Sequence, residues 1–478
     1  MGQLRLRASV SLMLAVAGVG SAWSQVPEPT SSQPSSAAET RAAAVDVVSL
    51  ARAAAGDGRL AFRLTPPDEA IKLLGQPTKD EQEREGGDDL RLLTWPGLVA
   101  TFGKSRQMGG GFVLLSLLAG DPAGDLEKYT DLDIGRDRPL VLRGLTDLAN
   151  AVTMWGVAGA SLVRLDLRES VKSLCGLTFD TRTQWPPADR LPAGFDPARL
   201  LEDGKNPGLG VRGLHRQGID GRGVHVAIID QPLLVDHQEY AGHIERYELI
   251  DTYDVRVQMH GPPVASILIG REVGVAPGAV LSYYAVPPWK RDSTPFAEAL
   301  TRILDLNEHV APAERIRVVS VSTGMFPQHA HVERWRAACE RAAKAGVLVI
   351  TCELDPQFPY GTADRAPTDT GRSRNPDDPA SFRQGRHRHS DDAISVPAGG
   401  RTTASHYRPD VYTYWAQGGL SWCTPYVAGV AALGFQVDPE LAPQRVLALL
   451  KETATKTDGG LIIDPPGFVA AVRDARGP

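Results

Sequence analysis

GLSWCTPYVAGVAALG, Gly419–Gly434, sets a serine in a glycine turn directly ahead of a run of small apolar residues. At Gly418 and Gly419 the missing β-carbons let the backbone approach another segment closely. The run Val427, Ala428, Val430, Ala431 and Leu433, with Gly429 among them, predicts a buried, tightly packed helix. Pro425 is expected in its first turn, where a missing N–H costs little. Such a helix points its free N–H groups and positive dipole end at Ser421 and at any oxyanion beside it. Two readings of Ser421 stand side by side: a nucleophile, or a serine that caps a core helix.

A serine hydroxyl is a weak nucleophile, so the first reading requires a base and a group that orients it. GVHVAIID, Gly223–Asp230, reads as a fully buried β-branched strand that ends in a carboxylate. Asp230 therefore falls at the C-terminal edge of a strand, where α/β folds build their sites. MHGPPVASILIG, Met259–Gly270, puts His260 at the start of a second apolar helix. Alone, such an aspartate is a turn former and such a histidine a structural one. The chain order Asp, His, Ser on alternating strands and helices is what joins them.

These segments resemble the subtilisin-like serine peptidases, over roughly residues 205–470. GLSWCTPYVAGVAAL is similar to the family's GTSMATPHVAG-type serine motif, VAIIDQPLLVDHQEY to its aspartate segment, and HGPPVASI to its HGTHVAG segment. GVAPGAVL (274–281), RVVSVSTG (317–324) and SVPAGGRTTAS (395–405) follow in the family's order. The resemblance implies an α/β, subtilisin-like three-layer fold with a mainly parallel sheet. It also implies an endopeptidase in which Ser421 attacks, His260 moves the proton and Asp230 orients the imidazole. Ser322, Thr323 and Gly324 would then offer backbone to an extended peptide or protein substrate. That chemistry needs no cofactor, and no acidic cluster marks a metal site.

Departures from the family pattern matter as much. AGVLVITCELD, Ala345–Asp355, stands where the family carries a strand ending in an asparagine that donates to the oxyanion. Alignment puts Asp355 at that asparagine, and an ionised carboxylate cannot donate a hydrogen bond. A missing oxyanion donor costs about 2.7–4 kcal/mol of transition-state stabilisation. A second reading follows, from another class: a binding or scaffolding protein of the same fold with an impaired oxyanion hole. Gln231 and Pro232 after the aspartate, and Pro262 and Pro263 after His260, are further departures.

The remainder sets the context. Residues 1–24 have a basic start, an apolar run from Ala8 to Gly20 and a small-residue cleavage pattern, which predicts an export signal. The run is too short to span a bilayer. Residues 25–44 read as a disordered linker. Residues 45–200 are expected to form a smaller N-terminal α+β region, accessory or propeptide-like, ahead of a peptidase-like domain over 201–478. Within it, Leu90–Gly103 and Gly110–Gly120 read as paired strands preceded by a helix over 67–74. Basic residues number 51 against 57 acidic ones, a net charge of −6, which favours neither nucleic acid nor an anionic membrane. The four cysteines show no metal spacing and read as small buried residues rather than bridges. RQGRHRHSDD, 383–392, is expected as a solvated polar loop.

Overall fold

A computed structural model describes residues 47–476, apart from 56–58, 61–64, 86–87, 106–111, 120–129, 132–139, short stretches between 143 and 155, and positions 254, 256 and 354. The export signal and linker expected over 1–44 lie outside the described residues. Among the described residues no helix is long and apolar enough to cross a membrane. The chain divides into two compact units, Met1–Leu167 with Arg182–Leu191, and Arg168–Thr181 with Pro192–Pro478.

In the first unit an antiparallel meander runs in chain order through Lys79–Glu85, Asp88–Trp95, Leu98–Ser105, Val113–Ala119 and Thr130–Asp131. The stretch expected as one strand, 90–103, is a hairpin that reverses at Pro96 and Gly97, because Gly97 takes a φ of 75° that other residues resist. Leu93 and Trp95, then Leu98, Ala100 and Phe102, alternate onto one buried face. Ala51, Ala54, Ala70 and Leu74 from two helical segments cover that face.

The second unit is built on five parallel strands. In chain order they are β1 (His225–Asp230), β2 (Ile244–Leu249), β3 (Val280–Ala285), β4 (Ile316–Val321) and β5 (Leu348–Thr351), and in the sheet they stand 2-3-1-4-5. The strand side chains alternate between two cores. Val226, Ile228, Leu281, Tyr283 and Val318 face α1 (Gly261–Ile269) and the long helix that starts at Leu420. Ala227, Ile229, Tyr284, Val319 and Val321 face α2 (Thr294–His309) and α3 (Val332–Lys344). A sheet buried on both faces requires the continuous apolar strands seen here. The result is the mainly parallel, three-layer α/β arrangement expected from the sequence.

After β5 the chain adds β6 (Tyr360–Asp364), β7 (Arg383–Arg388) and β8 (Ile394–Gly399), with β6 between the other two. Residues 383–388, read from sequence as loop, are therefore a strand, paired antiparallel with β6. Its polar side chains suit an edge, where unpaired backbone needs blunting. β9 (Arg401–Ala404) and β10 (Tyr412–Trp415) form a hairpin that leads into α4 (Leu420–Val437), followed by α5 (Pro443–Glu452) and α6 (Pro465–Arg476).

α4 departs from the sequence reading in one respect. It begins at Leu420, so Pro425 lies inside the helix rather than in its first turn. Gly429 has the expected role, since a β-carbon there would stand 2.6 Å from Cβ of Val275.

Candidate active site

Strand β1 ends on Asp230, which is 5% exposed and accepts a 2.7 Å hydrogen bond from the following N–H, that of Gln231. The same carboxylate oxygen, Oδ1, lies 2.7 Å from Nδ1 of His260. A carboxylate can only accept, so Nδ1 is the donor, and in the neutral imidazole this leaves Nε2 as the acceptor.

His260 is the N-cap of α1. Pro262 and Pro263 follow it in the first turn, where no intrahelical donor is required, so the two prolines do not disturb the helix start. Gly261 is needed there: a β-carbon would meet Oη of Tyr283 at 2.6 Å and the Gln231 carbonyl at 2.8 Å. Tyr283 donates to that same carbonyl, which fixes the chain just after Asp230. Behind His260, the Trp422 ring packs at 5.3 Å between centroids, and Trp415 stands edge-on to Trp422 at 5.4 Å.

Ser421 occupies the first turn of α4 and is buried. Its hydroxyl donates to the Ser322 carbonyl at 3.1 Å, and the Ser322 hydroxyl donates to the Ser421 carbonyl at 3.0 Å. Ser322 lies one residue past the end of β4. Thr323 is half-buried, and its carbonyl accepts from the Cys352 N–H at 3.1 Å, tying the end of β4 to the end of β5. Gly324 is buried under Phe326 and Glu353, whose atoms would stand 3.1 Å from an added β-carbon. The Glu353 carboxylate accepts from the Met325 N–H, and burial raises its pKa.

Cys352, read from sequence as a small buried residue flanking the site, lies just past the end of β5. Burial pushes its thiol up to about 12, offset in part by the Thr424 hydroxyl, 3.4 Å from Sγ, and by the Ser421 side chain. A protonated thiol therefore sits against the serine hydroxyl. Its sequence signal was position alone, in the segment that aligns with the family's oxyanion strand. Asp355, at the aligned asparagine position, is turned elsewhere. Its Oδ1 accepts from the Gln357 N–H at 2.8 Å, and it lines a cavity of about 400 Å³ with Trp335, Cys339 and Leu447. All four cysteines are free thiols. Among the described residues no group of three or more His, Cys, Asp or Glu side chains is placed to hold a metal ion.

The ordered aspartate, histidine and serine segments resemble those of the subtilisin-like serine peptidases. Over 243 residues the chain is 28% identical to an extracellular serine proteinase of Thermus sp. (strain Rt41A), a match that covers 49% of this chain and 56% of that protein. The chain thus spans little more than half the length of the curated relative it matches. No protein-family model matches the chain. Among solved structures it is similar to a chain of the subtilase cytotoxin SubAB, with TM-score 0.43, 17% identity, and coverage of 56% of this chain and 96% of that one. It is also similar to the prenylagaramide maturation protease PagA, with TM-score 0.41, 17% identity, and coverage of 55% and 98%.

Proposed function

We propose that the protein is an exported serine endopeptidase that acts through Asp230, His260 and Ser421. The observation that carries this reading is the 2.7 Å bond from His260 to Asp230, which leaves Nε2 free to accept a proton. In the proposed cycle Ser421 Oγ attacks the peptide carbonyl while Nε2 takes its proton. The C–N bond then breaks as the imidazolium returns that proton to the amine. Water, deprotonated by the same nitrogen, hydrolyses the acyl-enzyme. Asp230 holds the tautomer and offsets the imidazolium charge. The substrate runs along Ser322, Thr323 and Gly324 and displaces the Ser421 hydroxyl from the Ser322 carbonyl. Its oxyanion meets the Ser421 N–H at the start of α4 and the protonated Cys352 thiol, a weaker donor pair than one with a side-chain amide. Export is supported by the N-terminal pattern of residues 1–24 and by the extracellular relative.

A second reading, a binding protein of the same fold with little turnover, is favoured by one observation: the aligned Asp355 carboxylate is bonded to Gln357 and offers no donor. A fluorophosphonate probe on the folded protein separates the two. Labelling that disappears in Ser421→Ala and His260→Ala supports the peptidase. Absence of labelling on folded wild-type protein at neutral pH selects the binding protein.

A further inference from the structure

Two guanidinium groups lie in the interior of the second unit, those of Arg365 and Arg401, 5% and 4% exposed. Arg365 Nη2 donates to the carbonyls of Asp203 at 2.9 Å and Gly400 at 3.0 Å, while its buried Nη1 has no acceptor. Arg401 Nη1 donates to the Pro397 carbonyl at 3.3 Å, while its buried Nε has no acceptor. Among the described residues neither arginine forms an ion pair. The nearby carboxylates are engaged elsewhere: Asp203 with Arg199 at 2.8 Å, Asp364 with the Gly418 N–H at 3.3 Å, and Asp377 with the Gly210 N–H at 3.0 Å.

The two groups share one neighbourhood. Gly400, whose carbonyl Arg365 binds, directly precedes Arg401. The Arg401 guanidinium lies 5.7 Å from the centre of the Tyr426 ring, and that of Arg365 lies 5.9 Å from the centre of the Phe382 ring. Burial, with a smaller push from Arg365, lowers Arg401 to about 10, so both remain cationic at neutral pH. Buried charge of one sign without a counter-charge is what folded proteins avoid. A water molecule would satisfy the free N–H groups but leave both charges uncompensated, whereas an anion answers both needs.

We propose that Arg365 and Arg401 form an internal anion site, in which Arg365 Nη1 and Arg401 Nε hold one small monovalent inorganic ion of chloride type. Close packing by Tyr414, Tyr426 and Phe382, all buried, limits the site to a compact ion. Because Tyr426 belongs to α4, the ion also braces the helix that carries Ser421. The site is independent of serine chemistry, so its test does not rest on peptidase activity.

Unfolding of the full chain is to be followed at fixed ionic strength while gluconate is replaced by chloride or bromide. A saturable rise in the unfolding midpoint is expected with both halides, since a ligand bound only by the native state stabilises it by mass action. Arg401→Met, which keeps an apolar stem over Tyr426, is expected to abolish the dependence. Anomalous scattering from bromide in wild-type crystals supplies a measurement that does not depend on a variant folding. A bromide peak bonded to both guanidiniums, together with the saturable shift, supports the site. Identical curves in chloride and gluconate, with or without a peak, reduce it to an adventitious ion only and overturn the proposal. Halide stabilisation that persists in Arg401→Met, or that occurs with no peak at the pair, locates the ion elsewhere and overturns it equally.

Discussion

Ser322 and Ser421 each donate their hydroxyl to the other's backbone carbonyl, at 3.0 and 3.1 Å. Pro425 is the cause of half of this exchange. In a regular helix the N–H of residue 425 would bond to the carbonyl of residue 421, and proline has none. The Ser421 carbonyl is thereby freed inside a buried helix, and Ser322 supplies the donor it lacks. Ser322→Ala is therefore expected to destabilise the protein by about 1–3 kcal/mol, the cost of an unsatisfied buried acceptor. Chemical denaturation of the variant against wild type measures this, and a difference near zero would mean the bond contributes nothing.

Asp230→Asn tests the proposed orienting role. The asparagine amide can donate to Nδ1 of His260, which moves the imidazole proton to Nε2 and removes the base. Labelling by the fluorophosphonate probe is expected to slow by about 10⁴-fold, with the fold intact by circular dichroism. A loss of less than tenfold would count against this assignment.

Asp355→Asn is expected to change the labelling rate by less than about threefold, whereas a side-chain oxyanion donor is worth roughly 10²–10³. The reason is placement: Asp355 caps the Gln357 N–H and faces the cavity beside Trp335. A hundredfold gain on installing the amide would show that residue 355 reaches the oxyanion.

All four thiols are raised above their ordinary range, burial being the leading cause in each, with Cys339 and Cys352 pushed up to about 12. Thiolate is the reactive form, so at pH 8 Cys339 and Cys352 should each react with iodoacetamide on the order of 10³-fold more slowly than a free thiol, read site by site by peptide mass spectrometry. Full reactivity should return in denaturant. Inactivation by iodoacetamide at a free-thiol rate would overturn the placement of Cys352.

Asp364 offers a pH test. It ends β6, accepts from the Gly418 N–H in the turn before Ser421, and burial raises it to about 6. The native state then binds this proton more tightly than the unfolded chain, whose value is the ordinary 3.8. The site favours the native state most below pH 4, and its contribution is lost as pH rises to about 6, by up to about 3 kcal/mol. Asp364→Asn, whose amide oxygen still accepts from Gly418, should be more stable than wild type at pH 7 and gain nothing near pH 4. Equal stabilities at pH 7 would show that Asp364 ionises without cost.

Much of the second unit was legible in its sequence because β1, β4 and β5 are buried on both faces and read as continuous apolar runs. The first unit was harder. Lys79–Glu85 is a strand made of charged residues, held by pairing with Asp88–Trp95 and by Arg91 bidentate on Asp80, a partner that no local propensity announces. Arg383–Arg388 was missed on the same ground, since its strand character comes from β6.

The sequence by itself determined which residues compete for the site: a carboxylate that ends a buried strand, a histidine that opens one helix and a serine that opens another. Those signals are local, set by burial period and by helix-start chemistry. Only the tertiary structure decided that His260 bonds to Asp230, that Trp422 backs the imidazole, that Asp355 turns away and that the Cys352 thiol takes the place beside Ser421. These are contacts between strands and helices tens to nearly two hundred residues apart. They follow from sheet order and from helix packing, which no single segment encodes.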